Sequence, residues 1–250
     1  MFLHRQSHNA KLENVFDWLL MALSAGAVNA GGFLATGRFV THVTGFATLF
    51  GVDVGRLHWE GALGILSVPL FFLLGAFVAG WWIDREIMKK RPPHFDWVMA
   101  LSAMSLLIAA LLPNLERAPA FGGLIHLRGV YLLMVLLCFS SGLQNAALTS
   151  SSGSSVRTTH LTGITTDLGL GLARLLYEPL HPLQMKDEVR SAWIRMGTVL
   201  AFILGSAIGA SLYLRLGVRS FLLSALISAY AAIHGRKAKI NAHRLETIAP

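Results

Sequence analysis

Charge is scarce in this chain. Of its 250 residues only 14% are Asp, Glu, Lys or Arg, where a soluble domain averages roughly a quarter, so an ordinary water-facing surface is excluded. Cysteine is nearly absent. The single Cys138 rules out an internal disulfide and any thiolate metal cage, and inside an apolar run it reads as a small buried residue. Catalytic signatures are missing as well: no HExxH, no GxSxG and no Gly-rich loop ending in Lys-Ser/Thr occurs, and the serine run at 150 to 155 has no defined base beside it. No enzyme, metal or cofactor is therefore expected. The net charge of +8 comes without the aromatic-interleaved basic patches that single-stranded nucleic acid needs, so nucleic acid is not expected as a partner.

Hydrophobic residues make up 54% of the chain. They gather into six uncharged runs: Trp18 to Gly37, Gly61 to Ile83, Trp97 to Leu115, Gly129 to Val156, Met196 to Leu214 and Ser220 to Gly235. About 20 such residues cross the hydrocarbon as a helix, which makes five runs ample and the last one short. The runs are apolar all round, unlike the alternating strands of a membrane barrel. An all-α integral membrane protein is the expectation, one membrane domain over 1–250 with polar basic tails at 1–14 and 236–250.

One stretch occurs twice. Residues 41 to 57 read THVTGFATLFGVDVGRL, and residues 159 to 175 read THLTGITTDLGLGLARL, so Thr41, His42, Thr44, Gly45, Thr48, Gly51 and Arg56 align with Thr159, His160, Thr162, Gly163, Thr166, Gly169 and Arg174. Nearby, Gly26 and Asn29 match Gly142 and Asn145, while Phe72, Leu74 and Gly75 match Phe202, Leu204 and Gly205. This is an internal duplication, repeat one covering about 15–115 and repeat two about 129–235. It also bears on the amino terminus, where SAGAVNA looks like a signal-peptide cleavage site. The same Gly and Asn recur mid-chain, so the first run is expected to be a retained span.

With six crossings and a cytoplasmic amino terminus, 15 of the 21 Lys and Arg fall on the cytoplasmic side and six outside, which satisfies the positive-inside rule. Eight crossings would put the Arg85, Lys89, Lys90 and Arg91 cluster outside. Three crossings per copy is an odd number, so the second copy is expected to enter the membrane upside down relative to the first. Gly31, Gly32 and Gly37, and the SSSGSS run, are expected to break the chain ahead of each THxTG segment. Each of those segments then becomes a short re-entrant helix, a design recurrent in secondary transporters. Non-helical backbone at that depth must be covered by protein or line a cavity.

Two long stretches, AGAVNAGGFLATGRFVTHVTGFATLFG and GLQNAALTSSSGSSVRTTHLTGITTDLG, resemble the signature stretches of the YoaK family of bacterial inner-membrane proteins. The resemblance covers nearly the whole chain. It implies six spans and a bacterial cytoplasmic membrane, and it supplies no function. Where the family is expected to carry an acidic residue near the end of the first span, this chain has Asn29, and Gly45, Phe46 and Ala47 stand where Gly-Asn-Thr is expected.

Within each copy the threonines and glycines recur every three or four residues, giving a short helix one small, polar face. Such a face can line a wet cavity or admit a neighbouring helix. The expected pathway residues are Asn29, Thr41, His42, Thr44 and Thr48, their partners Asn145, Thr159, His160, Thr162 and Thr166, and Asp167, an ionisable residue near membrane depth. Asp167 follows His160 by two helical turns, which allows a proton relay. Asp53 is placed to pair with Arg56, and Arg56 and Arg174, which close the two copies, read as interfacial snorkelling residues. Gly45, Gly75, Gly163 and Gly205 are expected to serve packing. The function expected is passage of an unidentified small solute or ion between the two halves, against the alternative of a membrane scaffold or sensor. Lipids are expected partners, and a homo-oligomer is compatible with the sequence.

Overall fold

The computed structural model describes residues 12–57, 59–113, 124–152, 161–177 and 182–248, and every regular element among them is a helix. In chain order these are α1 (Leu12–Thr36), α2 (Val43–Gly55), α3 (Trp59–Trp82), α4 (Asp84–Met88), α5 (Phe95–Leu111), α6 (Leu124–Ser151), α7 (Leu161–Tyr177), α8 (Pro182–Leu216) and α9 (Phe221–Ile248), with a 3-10 turn at Gly217–Ser220.

The bundle is apolar on its outside. Leu70, Leu73, Phe77 and Trp81 on α3, and Leu200, Ile203, Leu204 and Leu214 on α8, are each more than half exposed. Water would not tolerate that much contiguous apolar surface; hydrocarbon does. Among the described residues, four helical stretches are long and apolar enough to cross a membrane: Asn14–Thr36, Val68–Met88, Gly129–Ser151 and Gln184–Lys237. The fourth contains both α8 and α9. It folds back on itself at Gly217, whose φ of +61° suits glycine. α5, at 17 residues, falls just below the length of a full span.

Two hydrophobic clusters show how the helices are oriented. One joins Trp18 and Met21 of α1 to Leu143, Ala147 and Leu148 of α6, with Phe95 and Val98 of α5 and Ile227 and Ala231 of α9. The other joins Val28 of α1 to Leu133, Leu137 and Cys138 of α6, with Leu106 and Ala109 of α5 and Phe221 and Ala225 of α9. Early α1 thus meets late α6, and late α1 meets early α6. The two helices run antiparallel, and so do α5 and α9.

Glycines set the closest approaches, and they do so twice over. A Cβ on Gly26 would overlap the Phe202 carbonyl oxygen and crowd the Ser206 amide, and one on Gly142 would overlap the Phe72 carbonyl and crowd the Ala76 amide. Gly75 in turn abuts the Phe139 carbonyl, and Gly205 the Leu23 carbonyl. Every member of the first set has its counterpart at the duplicated position in the second, so α1 packs on α8 as α6 packs on α3. Small residues give the backbone contact that helices in lipid need, because apolar burial drives little association there.

Some expected boundaries shift. Gly31 and Gly32 do not break the chain but lie inside α1, where a Cβ would press on the Phe221 ring and on Val40 respectively. The break falls at Gly37, in the left-handed region at φ +68°, its amide donating to the Phe33 carbonyl at 2.8 Å. α6 runs through Ser150 and Ser151, so the first serines of the SSSGSS run extend a helix; residues 153 to 155 lie outside the described residues. α8 and α9 extend well past their apolar runs, since charged residues do not stop a helix once it leaves the hydrocarbon. Pro69 lies inside α3, a position where it removes one backbone hydrogen bond.

Candidate functional site

The first helix break builds a polar corner. Beyond Gly37 the chain turns back so that Thr41 and His42 face the last turns of α1. Thr41, buried, donates its hydroxyl to Asn29 Oδ1 at 2.8 Å. His42 Nδ1 lies 2.9 Å from Thr41 Oγ1 and 3.4 Å from Asn29 Oδ1. With the Thr41 proton committed to Asn29, both neighbours of Nδ1 are acceptors, so this arrangement uses an Nδ1–H and makes Nε2 of the neutral ring an acceptor. The imidazole is held edge-on between Phe39, 6.1 Å away, and Phe202 of α8, 5.9 Å away at 90°. A residue of the second half thereby closes a corner built by the first.

The other expected residues lie elsewhere. Thr44 and Thr48 are exposed on α2, and Thr162, Thr166 and Asp167 are exposed on α7. Thr48 and Thr166 turn their hydroxyls onto the carbonyls of Thr44, at 3.4 Å, and Thr162, at 2.9 Å, a back-bond that satisfies a hydroxyl without a ligand. The faces turned inward are apolar, with Phe46 buried on α2 and Ile164 and Leu168 on α7. Gly45 faces the Phe39 ring at ordinary contact distance, and Gly163 is half-buried. Asn145 is half-buried on α6, where its carbonyl accepts the Thr149 hydroxyl at 2.7 Å. Thr159 and His160 lie outside the described residues, and with them the relay expected between His160 and Asp167.

α7 is pinned by charge. Arg174 and Arg195 each reach Glu188 at 3.3 Å, and Arg195 also donates to the Asp167 carbonyl. Gly171 leaves the room for this, since a Cβ there would press on Glu188 Oε1. Arg174 is therefore more than a snorkelling residue.

Sequence reasoning missed two polar features. At the centre of the bundle, Gln144 Nε2 donates to Ser102 Oγ at 2.9 Å and to Ser228 Oγ at 3.0 Å, and Ser102 and Ser140 share a hydrogen bond of 2.8 Å. Ser228 donates its hydroxyl to the Ser224 carbonyl, and Ser224 donates to the Ser24 carbonyl. All these residues are buried, and they tie α1, α5, α6 and α9 together. One signal was available: Ser24 and Ser140 stand 116 residues apart, at the spacing of the duplicated Gly and Asn. The second feature is a hydrogen-bond contact of 2.9 Å between buried Asp17 Oδ2 on α1 and His234 Nδ1 on α9. Asp17 stands one residue before the first apolar run and escapes any scan for charges within it.

A family model described as a protein of unknown function (DUF1275) matches residues 18–234. The chain belongs to this family. A curated relative, the UPF0700 transmembrane protein YoaK of Bacillus subtilis (strain 168), is 25% identical over 192 residues, covering 76% of this chain and 80% of the relative. No solved structure matches. The match spans α1 to α9, so the polar corner, the central serines and the Asp17–His234 contact belong to one transmembrane family unit, except that Asp17 itself falls just before the matched residues.

Proposed function

We propose that the protein is a small-solute transporter or permease of the bacterial cytoplasmic membrane, with six crossings in two inverted three-span repeats and both termini cytoplasmic. The observation that carries the reading is the polar corner of Asn29, Thr41 and His42 at a helix break, closed by Phe202 from the other half. A broken helix end at depth presents unpaired backbone dipoles and polar side chains to whatever enters, which is how many transporters hold solutes. The antiparallel running of α1 against α6 and of α5 against α9 supports the inversion. So does the recurrence of one glycine contact pattern in both halves. Transport needs no nucleophile and no cofactor, in keeping with the missing catalytic motifs.

Flux in proteoliposomes over a panel of small neutral, anionic and cationic solutes tests this. For a solute carried by the wild type, His42→Ala and Thr41→Val should each lower the rate tenfold or more while the protein keeps its gel-filtration profile. Unchanged rates in both variants would remove the corner from the pathway. A membrane scaffold or sensor is favoured by the outward-facing Thr44, Thr48, Thr162 and Thr166, whose stripe offers a partner a small, polar helix face. Absence of flux for every solute, with a partner protein lost on Thr48→Leu and Thr166→Leu substitution, is the outcome that reading expects.

A further inference from the structure

We propose that the groove between the start of α1 and the first half of α8 binds one anionic phospholipid, the phosphate on Lys186 and Arg190 and an acyl chain along Val15, Leu19 and Trp193. The groove measures about 620 Å³ and is lined by these residues together with Met185, Val189 and Ile194. Among the described residues, both charged side chains that line it are cations. Glu188, on the same turns of α8, meets Arg174 and Arg195.

Length places this groove at headgroup level. α8 has 35 residues, roughly 52 Å at 1.5 Å per residue, against a hydrocarbon thickness of about 30 Å. Its uncharged part runs from Met196 to Leu214, so the turns carrying Lys186 and Arg190 lie just outside the hydrocarbon. Trp193, 73% exposed, stands where that part begins, the depth at which tryptophan favours the interface. Lower down, Leu19 packs against Gly197, so the wall of the groove on the hydrocarbon side of the two cations is apolar. Cations above and apolar side chains below match the two ends of a phospholipid. Free phosphate matches only one of them. Basic pockets at the ends of membrane helices recognise anionic headgroups in this way. At the offset of 130 that relates the second and fifth apolar runs, the first half carries Arg56 and Glu60 in place of Lys186 and Arg190, so the cation pair belongs to one face of the membrane and is not a mark of the duplication.

Native mass spectrometry of the full chain, from micelles containing equal phosphatidylglycerol and phosphatidylcholine with the same acyl chains, tests the site without any transport measurement. We expect one retained phosphatidylglycerol per chain, favoured on the order of ten- to thirtyfold for two cations. Lys186→Gln should lower that preference severalfold, and Lys186→Gln with Arg190→Gln should remove it. Val189→Trp, which fills the groove and keeps both charges, should also displace the lipid, and it covers the case in which the double variant fails to fold. Lys89→Gln with Lys90→Gln should change nothing, and glycerol phosphate should not compete. Equal retention of the two lipids would overturn the proposal. The same holds for a preference that survives both groove variants, one that falls equally with Lys89 and Lys90, or one that glycerol phosphate abolishes.

Discussion

At the scale of single residues, glycine has two separate jobs, and sequence does not tell them apart. Gly75 and Gly205 lie against the carbonyls of Phe139 and Leu23, whereas a Cβ added at Gly51, Gly55 or Gly169 would meet nothing within 4 Å. Gly75→Ala must push α3 off α6, an overpacking cost of roughly 1–3 kcal/mol. Gly51→Ala should gain about 0.5–1 kcal/mol, because alanine loses less backbone entropy in a helix. Unfolding of the two variants in mild detergent should therefore move in opposite directions, and equal midpoints would contradict the close packing. Gly75 was legible through its match to Gly205. The role of Gly171 was not, since it depends on Glu188, 17 residues further on and brought near only by the packing of α7 on α8.

At the scale of elements, the two short helices are held by different forces. α2 buries Phe46 and half-buries Phe50 against the bundle, while α7 adds to Ile164 and Leu168 a carboxylate shared by two arginines. Each partly exposed pair is worth about 0.2–1 kcal/mol, enough to set the docking of a 17-residue helix but not the stability of the bundle. Glu188→Gln should raise hydrogen exchange of the α7 amides severalfold and leave α1 and α6 unchanged; uniform protection across α7 in the variant would show that apolar contact alone holds it. The duplication made both short helices legible in sequence, down to the turn. It could not show that their threonines face outward, because a Thr and Gly face suits a cavity, a helix contact or open surface equally well.

At the scale of the whole molecule, the proposed six-crossing topology has a direct consequence. In a Cys138→Ala background, Arg56→Cys and Arg215→Cys should react with an impermeant maleimide on intact cells, and Lys89→Cys and Lys237→Cys only in inverted vesicles. All four residues are exposed, and Cys138 is buried among apolar side chains. Labelling of Lys89 and Arg215 from the same side would refute the inverted arrangement while leaving the helices as they are.

Sequence by itself determined the class, the family and the pairing of the halves, because apolar runs without charge have one stable solution in lipid and a repeated motif at fixed offset needs no coordinates to be seen. Tertiary structure alone decided which polar groups meet. Asn29, Thr41 and His42 come together because α1 breaks at Gly37 and not at Gly31, and Gln144 reaches Ser102 and Ser228 because three helices cross at one depth. Hydrogen bonds between helices depend on crossing points and on the rotation of each helix about its axis, and a pattern of hydrophobicity that is apolar all round carries no record of that rotation.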